Sequence, residues 1–144
     1  MKTQMIHSAD GARTYALIFE IDDEVIANLT RFAEQHQLSG SHFTAIGALK
    51  DATLAYFDWP TRNYEQIPIR EQVEVLSLIG DIAESDGKPK VHAHVVVGKR
   101  DGTAHGGHLM EAHVRPTLEV ILTESPKHLQ RKMDARSGLP LISV

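Results

Sequence analysis

The sequence contains no cysteine, and this absence limits the chemistry that a functional site can use. Disulfide bridges and thiolate metal ligands are both excluded, so any zinc-type site needs nitrogen or oxygen ligands. The 144 residues suit one domain that is large enough to fold without covalent crosslinks. We therefore expect a single domain spanning residues 1–144.

Long apolar runs and basic runs are also lacking. No segment approaches the roughly 18 apolar residues of a membrane span, and the first residues lack the apolar core of a signal peptide. We expect a soluble, cytoplasmic protein with no membrane partner. The formal net charge of −4 disfavours tight nucleic-acid binding by one chain, because such binding depends on neutralising phosphates with Lys and Arg.

The apolar pattern predicts an α+β fold, with a largely antiparallel β-sheet and one main helix packed on one face. Residues 13–21 alternate as a strand does, and residues 23–37 carry apolar side chains at helical spacing after an acidic start. Further strands are predicted at 43–49, 52–57, 73–82, 91–97 and 117–123. One more strand is predicted to follow the turn at 98–102 and to continue through Leu109. A single helix among so many strands argues against a doubly wound nucleotide fold. The core is expected at about 13–124, with residues 125–144 as a docked C-terminal extension.

Histidine is concentrated in one part of the chain, since five of the nine histidines lie between positions 92 and 113. His92 and His94 belong to the most clearly predicted strand. Side chains at positions i and i+2 of a strand point to the same face, roughly 6.6 Å apart. Two such imidazoles can bind one metal ion, although an isolated pair is more often two half-exposed strand residues. A third ligand would make the metal interpretation much stronger.

The segment Gly98–Gly102 predicts a hairpin whose register selects that third histidine. If position 97 faces position 103, His108 lies opposite His92. If position 98 faces position 104, His108 lies opposite His94, and all three imidazoles again share one face. A tight two-residue turn at positions 101–102 would instead place His105 on that face and turn His108 away.

Three histidines without a fourth protein ligand resemble an open metal site, which water or another ligand completes. Such a site can activate water, bind an anion or hold subunits together. Glu111 and Glu119 are the nearest acidic residues in sequence that could act as a base or support a ligand. Glu119 is more simply interpreted as a strand residue paired with a basic side chain. His113 and the other remaining histidines are interpreted as surface or edge residues.

Several segments, taken in their order and spacing, resemble the plant and prokaryote conserved (PPC) domain of the stand-alone prokaryotic type. They are Thr44–Leu54, Val73–Gly80, His92-Ala93-His94, Asp101-Gly102 and Gly106-Gly107-His108-Leu109. The resemblance runs from about Tyr15 to Thr123. It implies one helix on a largely antiparallel sheet, assembly as a homotrimer, and His92, His94 and His108 as metal ligands. It thereby favours the longer hairpin loop and leaves His105 as the reserve ligand.

The same resemblance also bears on whether the protein binds DNA. In plants the domain accompanies AT-hook motifs that bind the minor groove, whereas the AT-hook core Arg-Gly-Arg-Pro is absent from this sequence. The plant partner-binding segment corresponds to residues 74–78, and Val73 stands where an aromatic residue is usual.

We rank first a homotrimeric metal-binding module with a regulatory or small-ligand-binding role. It would hold a divalent transition metal, zinc before others, and a small anionic ligand is a further candidate partner. One alternative is a DNA-binding transcriptional regulator, a role assigned within the family by analogy. The other is a metal-dependent enzyme acting on a small anionic substrate.

Overall fold

The computed structural model describes residues 1–143, which form nine strands and one helix. In chain order the elements are β1 (Lys2–Ala9), β2 (Ala12–Phe19), α1 (Val25–His36), β3 (Gly40–Asp58), β4 (Asn63–Ile69), β5 (Val73–Ser85), β6 (Lys88–Gly98), β7 (Ala104–Glu124), β8 (Gln130–Met133) and β9 (Pro140–Ser143). The α+β class with one helix and a mostly antiparallel sheet is confirmed. Among residues 1–143, no helix is both long and apolar enough to cross a membrane.

Four strands form a closed cycle of antiparallel pairings that builds the centre of the fold. Strand β3 pairs with β5 and β7, and β6 also pairs with both β5 and β7. β2 and β1 extend the sheet beyond β7, and β4 pairs with the last part of β3. Because β7 is 21 residues long, its first residues pair with β6, residues from 108 onwards pair with β3, and residues 118–124 also pair with β2.

The helix covers one face of this sheet, against β6 and β7. It begins after Glu24, whose carboxylate accepts hydrogen bonds from the backbone N–H groups of Ile26 and Ala27. The same carboxylate accepts the N–H of Ala112 in β7 at 3.2 Å, so the cap also ties the helix to the sheet. The buried stripe of the helix packs on inward-facing sheet residues, and the core includes Val25, Leu29, Phe32, Leu17, Phe19, Phe43, Leu78 and Leu122.

The structure joins strands that the sequence pattern separates. The predicted strands 43–49 and 52–57 are both part of β3, and the strand through Leu109 and the strand 117–123 are both part of β7. Pairing continues across the irregular positions because register shifts between β3 and β7 absorb them. β1 lies outside the predicted strands, since all of its residues are exposed and its sequence has no apolar periodicity.

The C-terminal extension forms the β8–β9 hairpin and lies beside β5. Gln130 of β8 pairs with Glu84 of β5 in parallel, and the N–H of Glu84 donates to the carbonyl of Leu129 at 2.8 Å. The N–H of Leu129 in turn donates to the carbonyl of Ser39 at 2.8 Å. These backbone hydrogen bonds bring the hairpin close to the strands that carry the histidines.

Gly47 marks a close approach between β3 and β7. Its φ of 149° is unfavourable for residues with a side chain, and the register shifts on both sides of it. A Cβ at this position would lie 2.3 Å from the carbonyl oxygen of Thr117 and 2.8 Å from the Cα of Leu118. Both neighbours are backbone atoms, so a side chain could be accommodated only if β7 moved.

We expect Gly47→Ala to lower the free energy of unfolding by more than about 2 kcal/mol, because it combines backbone strain with a steric clash. Gly106→Ala is the matched control, since a Cβ there meets its nearest neighbour at an ordinary 3.4 Å. Urea unfolding followed by circular dichroism measures both variants. A Gly47→Ala midpoint equal to that of the control would contradict the close approach.

Candidate metal centre

His92 and His94 project from the outer face of β6 because of the alternation of this strand. Ala93, Val95 and Val97 point inward and are buried, whereas His92 is half-buried and His94 is exposed. The apolar residues that hold β6 in the core thus determine that both imidazoles lie on the opposite face.

The hairpin from β6 to β7 has the register in which Gly98 faces Ala104, and His94 lies directly opposite His108. The loop is closed by hydrogen bonds from the N–H of Lys99 to the carbonyl of Thr103 and from Gly102 back to Lys99, both at 2.9 Å. The register with position 97 facing position 103 and the tight-turn register are therefore both wrong.

His105, the reserve ligand, lies elsewhere. It faces Val97 across the hairpin and is exposed. His108 lies at the point where β7 passes between β6 and β3, and it pairs with His94 on one side and with Ala55 on the other. The structure therefore brings together the three histidines selected by the resemblance.

The three imidazoles form one compact group. Their ring centroids are 5.1 Å apart for His92 and His94, 5.1 Å for His92 and His108, and 5.4 Å for His94 and His108. One nitrogen from each ring can be chosen so that all three lie within 4.8 Å of one another. Nitrogens bound tetrahedrally to zinc at about 2.0–2.1 Å are roughly 3.3 Å apart, so modest side-chain rotations would complete the ligand set.

The protonation states suit a metal ion. Burial, together with the positive charges that His92, His94 and Lys90 can carry, lowers the pKa of His108 to about 4. Burial and the neighbouring His92 also lower the pKa of His94. Near neutral pH these rings are therefore uncharged, which is the form that binds metals.

His108 also carries an unsatisfied polar atom. Its Nδ1 is buried and has no hydrogen-bond partner among the described residues. Such an atom costs free energy unless something binds it. The His108 ring lies beside two other imidazoles, and this position fits a metal ligand better than an ordinary buried histidine.

An acidic residue supports the group from β5. Oδ2 of Asp81 lies 3.5 Å from Nδ1 of His92, and its other oxygen accepts a hydrogen bond from Arg131 of β8. Burial favours the neutral acid, but contacts with His92 and Arg131 outweigh it and lower the pKa of Asp81. A carboxylate at Nδ1 orients the ring of His92 and leaves Nε2 available to a metal.

The acidic candidates from the sequence lie elsewhere. Glu111 is 4.0 Å from Nε2 of His113, and Glu119 pairs across the sheet with Ile18 and Ile46. His113 binds Asp51 at 2.7 Å, in keeping with a structural role.

The sequence did contain a signal for Asp81. Asp86-Gly87 is the type of pair that forms a two-residue hairpin turn, and both residues have positive φ. Counting back from that turn, with Ser85 facing Lys88, places Asp81 opposite His92.

Comparisons with known sequences find related proteins. The sequence profile of the Plants and Prokaryotes Conserved (PCC) domain matches residues 6–126. A curated relative, the bifunctional protein GlmU of Synechococcus sp. (strain JA-3-3Ab), is 32% identical over 129 residues, which are 88% of this chain and 20% of that protein. The chain thus spans about a fifth of that relative's length.

Three solved structures have the same fold. A PPC protein of Pyrococcus horikoshii is 32% identical, with a TM-score of 0.85 and coverage of 92% of both chains. A metal-containing protein of Archaeoglobus fulgidus is 29% identical, with a TM-score of 0.85 and coverage of 100% of this chain and 99% of that chain. A protein of Ralstonia eutropha JMP134, named as a candidate DNA-binding protein, is 27% identical, with a TM-score of 0.84 and coverage of 90% of both chains.

The low pKa of His108 makes a pH dependence testable in the metal-free protein. Folding lowers this pKa from 6.5 to about 4, so between these pH values the unfolded chain binds a proton more readily than the folded chain. The contribution of His108 to stability should therefore be lost as the pH falls from about 6.5 towards 4.

NMR titration of the histidine Cε1–H signals should show one group with a midpoint near 4, and this signal should be absent in His108→Gln. Urea unfolding should show a smaller loss of stability over this pH range in the variant than in the unchanged chain. A His108 midpoint at or above 6.5 would contradict the buried, charge-crowded environment.

Proposed function

This chain belongs to the Plants and Prokaryotes Conserved (PCC) domain family, and from that premise we propose that it is a homotrimeric metal-binding module with a regulatory or small-ligand-binding role. His92, His94 and His108 hold one divalent transition metal per chain. The observation that carries the proposal is the convergence of three imidazoles, one nitrogen of each lying within 4.8 Å of the others. The buried Nδ1 of His108, which has no hydrogen-bond partner among the described residues, adds to it.

The ligand set favours zinc and leaves one position open. Three neutral imidazoles are a common zinc ligand set, and a fourth position would be completed by water or by a ligand from outside the chain. The Archaeoglobus fulgidus protein, which is 29% identical over nearly the whole of both chains, is described as metal-containing. This likeness supports a metal in the present chain as well.

An apolar outer face supports the homotrimer. A row of residues paired across neighbouring strands runs from His94 through Ile79, Thr44 and Ile121 to Ala16. The large apolar side chains exposed on this face, in or next to that row, are Ile18, Ile46, Leu76, Ile79, Val96 and Ile121. Glu119 lies between Ile18 and Ile46 on this face, so the patch is apolar with one acidic side chain inside it. A patch of this kind favours burial against another protein surface, and closed rings of identical subunits are a common solution.

The apolar face also adjoins the three histidines His92, His94 and His108, here called the metal group, because Ile79 lies directly opposite His94. Burial of this face in a trimer would remove water from one side of the three histidines. Assembly and metal binding would then stabilise each other, since each favours the same ordered arrangement.

DNA binding is the second candidate, and the name of the Ralstonia eutropha protein favours it. The charges of this chain support it less. The net charge is −4, Lys99 is paired with Glu71 at 2.6 Å, and Arg131 is paired with Asp81. The two small basic spots that phosphates could contact are Lys99-Arg100 and Arg131-Lys132, and these pairs reduce their positive potential.

Elemental analysis of the purified protein should find about one zinc-type ion per chain. Separate replacement of His92, His94 and His108 by Ala should lower the metal content at least tenfold, because two imidazoles form a much weaker site. His105→Ala, on the same hairpin, is the matched control and should retain the metal. Retention of metal in all of the first three variants would exclude the proposed ligands.

Light scattering should give three times the chain mass at micromolar concentration. Ile121→Asp should shift the mass towards that of one chain, because it places a charge in the centre of the apolar face. Ile142→Asp is the matched control, with a similar exposure of 40% against 46%, and it should remain trimeric. A single-chain mass for the unchanged protein would remove the trimer from the proposal.

A further inference from the structure

A pocket of about 280 Å³ opens beside the three histidines. Its walls come from β4, β6, β7 and the C-terminal hairpin, and the residues that define its chemistry are Tyr64, Lys90, His92, His108, Arg131 and Leu141. This volume is just below the usual range for ligand sites, so it suits a small organic molecule.

Part of the pocket lining is cationic, and one of its buried hydrogen-bond donors has no partner among the described residues. The Arg131 side chain is only 6% exposed, and it donates to Asp81 and, at 3.0 Å, to the carbonyl of Pro140. Its Nε is buried and has no hydrogen-bond partner among the described residues. Lys90 adds a second positive charge, which reaches His108 and contributes to its low pKa.

The rest of the pocket lining is apolar and aromatic. The ring of Tyr64 lies 4.8 Å from that of His108 with an interplanar angle of 33°. Met110, Leu139 and Leu141 complete the apolar lining. A flat or branched hydrocarbon group would be enclosed here, away from the charged side.

We propose that this pocket binds a small carboxylate with an apolar body. Its carboxylate meets Lys90 and Arg131, and its body lies between Tyr64 and the leucines of the C-terminal hairpin. The inference rests on the proposed function, because His92 and His108 line the pocket and also belong to the metal group. The ligand would therefore lie next to the open coordination position.

The charge balance favours a monoanion over phosphate. Among the chain's own side chains, Asp81 neutralises much of the charge of Arg131, which leaves about one unit of positive charge, on Lys90. A divalent ion on the histidines would add its own charge at the other end of the pocket. A dianionic phosphate would bring a second negative charge close to Asp81 and would fit poorly among apolar walls. A carboxylate is neutralised by a single positive charge, and its two oxygens can accept several hydrogen bonds.

Specificity would come from the C-terminal hairpin. Arg131, Leu139 and Leu141 all lie beyond residue 126, where the match to the family profile ends. The hairpin, rather than the part of the chain matched by that profile, therefore supplies most of the ligand-facing groups next to the histidines. We expect chains with a different C-terminal segment to select different ligands at the same place.

The test is an NMR titration of the protein, both metal-free and zinc-loaded, with benzoate, and with neutral benzamide and inorganic phosphate as comparison probes. The metal-free titration compares the probes without a zinc ion that an anion could bind. Benzoate should shift the backbone amide signals of Leu139 and Leu141 saturably, with at least tenfold higher affinity than either comparison probe. Lys90→Gln should weaken benzoate binding about tenfold, the effect of one charge-assisted hydrogen bond. Lys88→Gln, two residues earlier on the same strand, should change it less than twofold.

Four outcomes would overturn the inference: no saturable shifts, equal binding of benzamide, tighter binding of phosphate, or equal effects of the two lysine variants. Metal content measured on the same samples separates this inference from the proposed function. If benzoate fails while one metal per chain is present, the pocket assignment is wrong and the metal site stands. If the protein holds no metal, the titration still shows whether the pocket binds benzoate, because Lys90, Arg131 and the apolar wall belong to the chain itself.

Discussion

The pairing of β6 with the first residues of β7 is the interaction on which the candidate site depends. It places His94 opposite His108, and the alternation of β6 adds His92 on the same face. A shift of this hairpin by one residue would turn His108 away and bring His105 forward. The site therefore needs no special loop, because it follows from a regular hairpin whose inner face is held by buried side chains.

Electrostatics explains why this arrangement suits a bound cation. Burial, together with the positive charges that the neighbouring His92, His94 and Lys90 can carry, lowers the pKa of His108 to about 4. Asp81 provides the opposite charge at His92, and Arg131 in turn holds Asp81. The network thus extends from the central strands to the C-terminal hairpin, which links the three histidines to the neighbouring pocket.

Much of the fold and part of the site could be predicted from local patterns. The helix expected at 23–37 is found at Val25–His36, because an apolar stripe and an acidic cap are encoded within a dozen residues. The continuous strands β3 and β7 could not be predicted, since pairing with neighbouring strands carries them through positions where alternation fails. The role of Asp81 depended on the register of a second hairpin.

By itself, the sequence determined that a metal site must lack thiolates and that His92 and His94 share one face, because composition and strand periodicity are local properties. Only the tertiary structure decided that His108 completes the group and that Asp81 supports it. It also decided that Arg131, far away along the chain, lines the same pocket. These outcomes depend on strand register and on where the C-terminal hairpin docks, and both are set by contacts between distant segments.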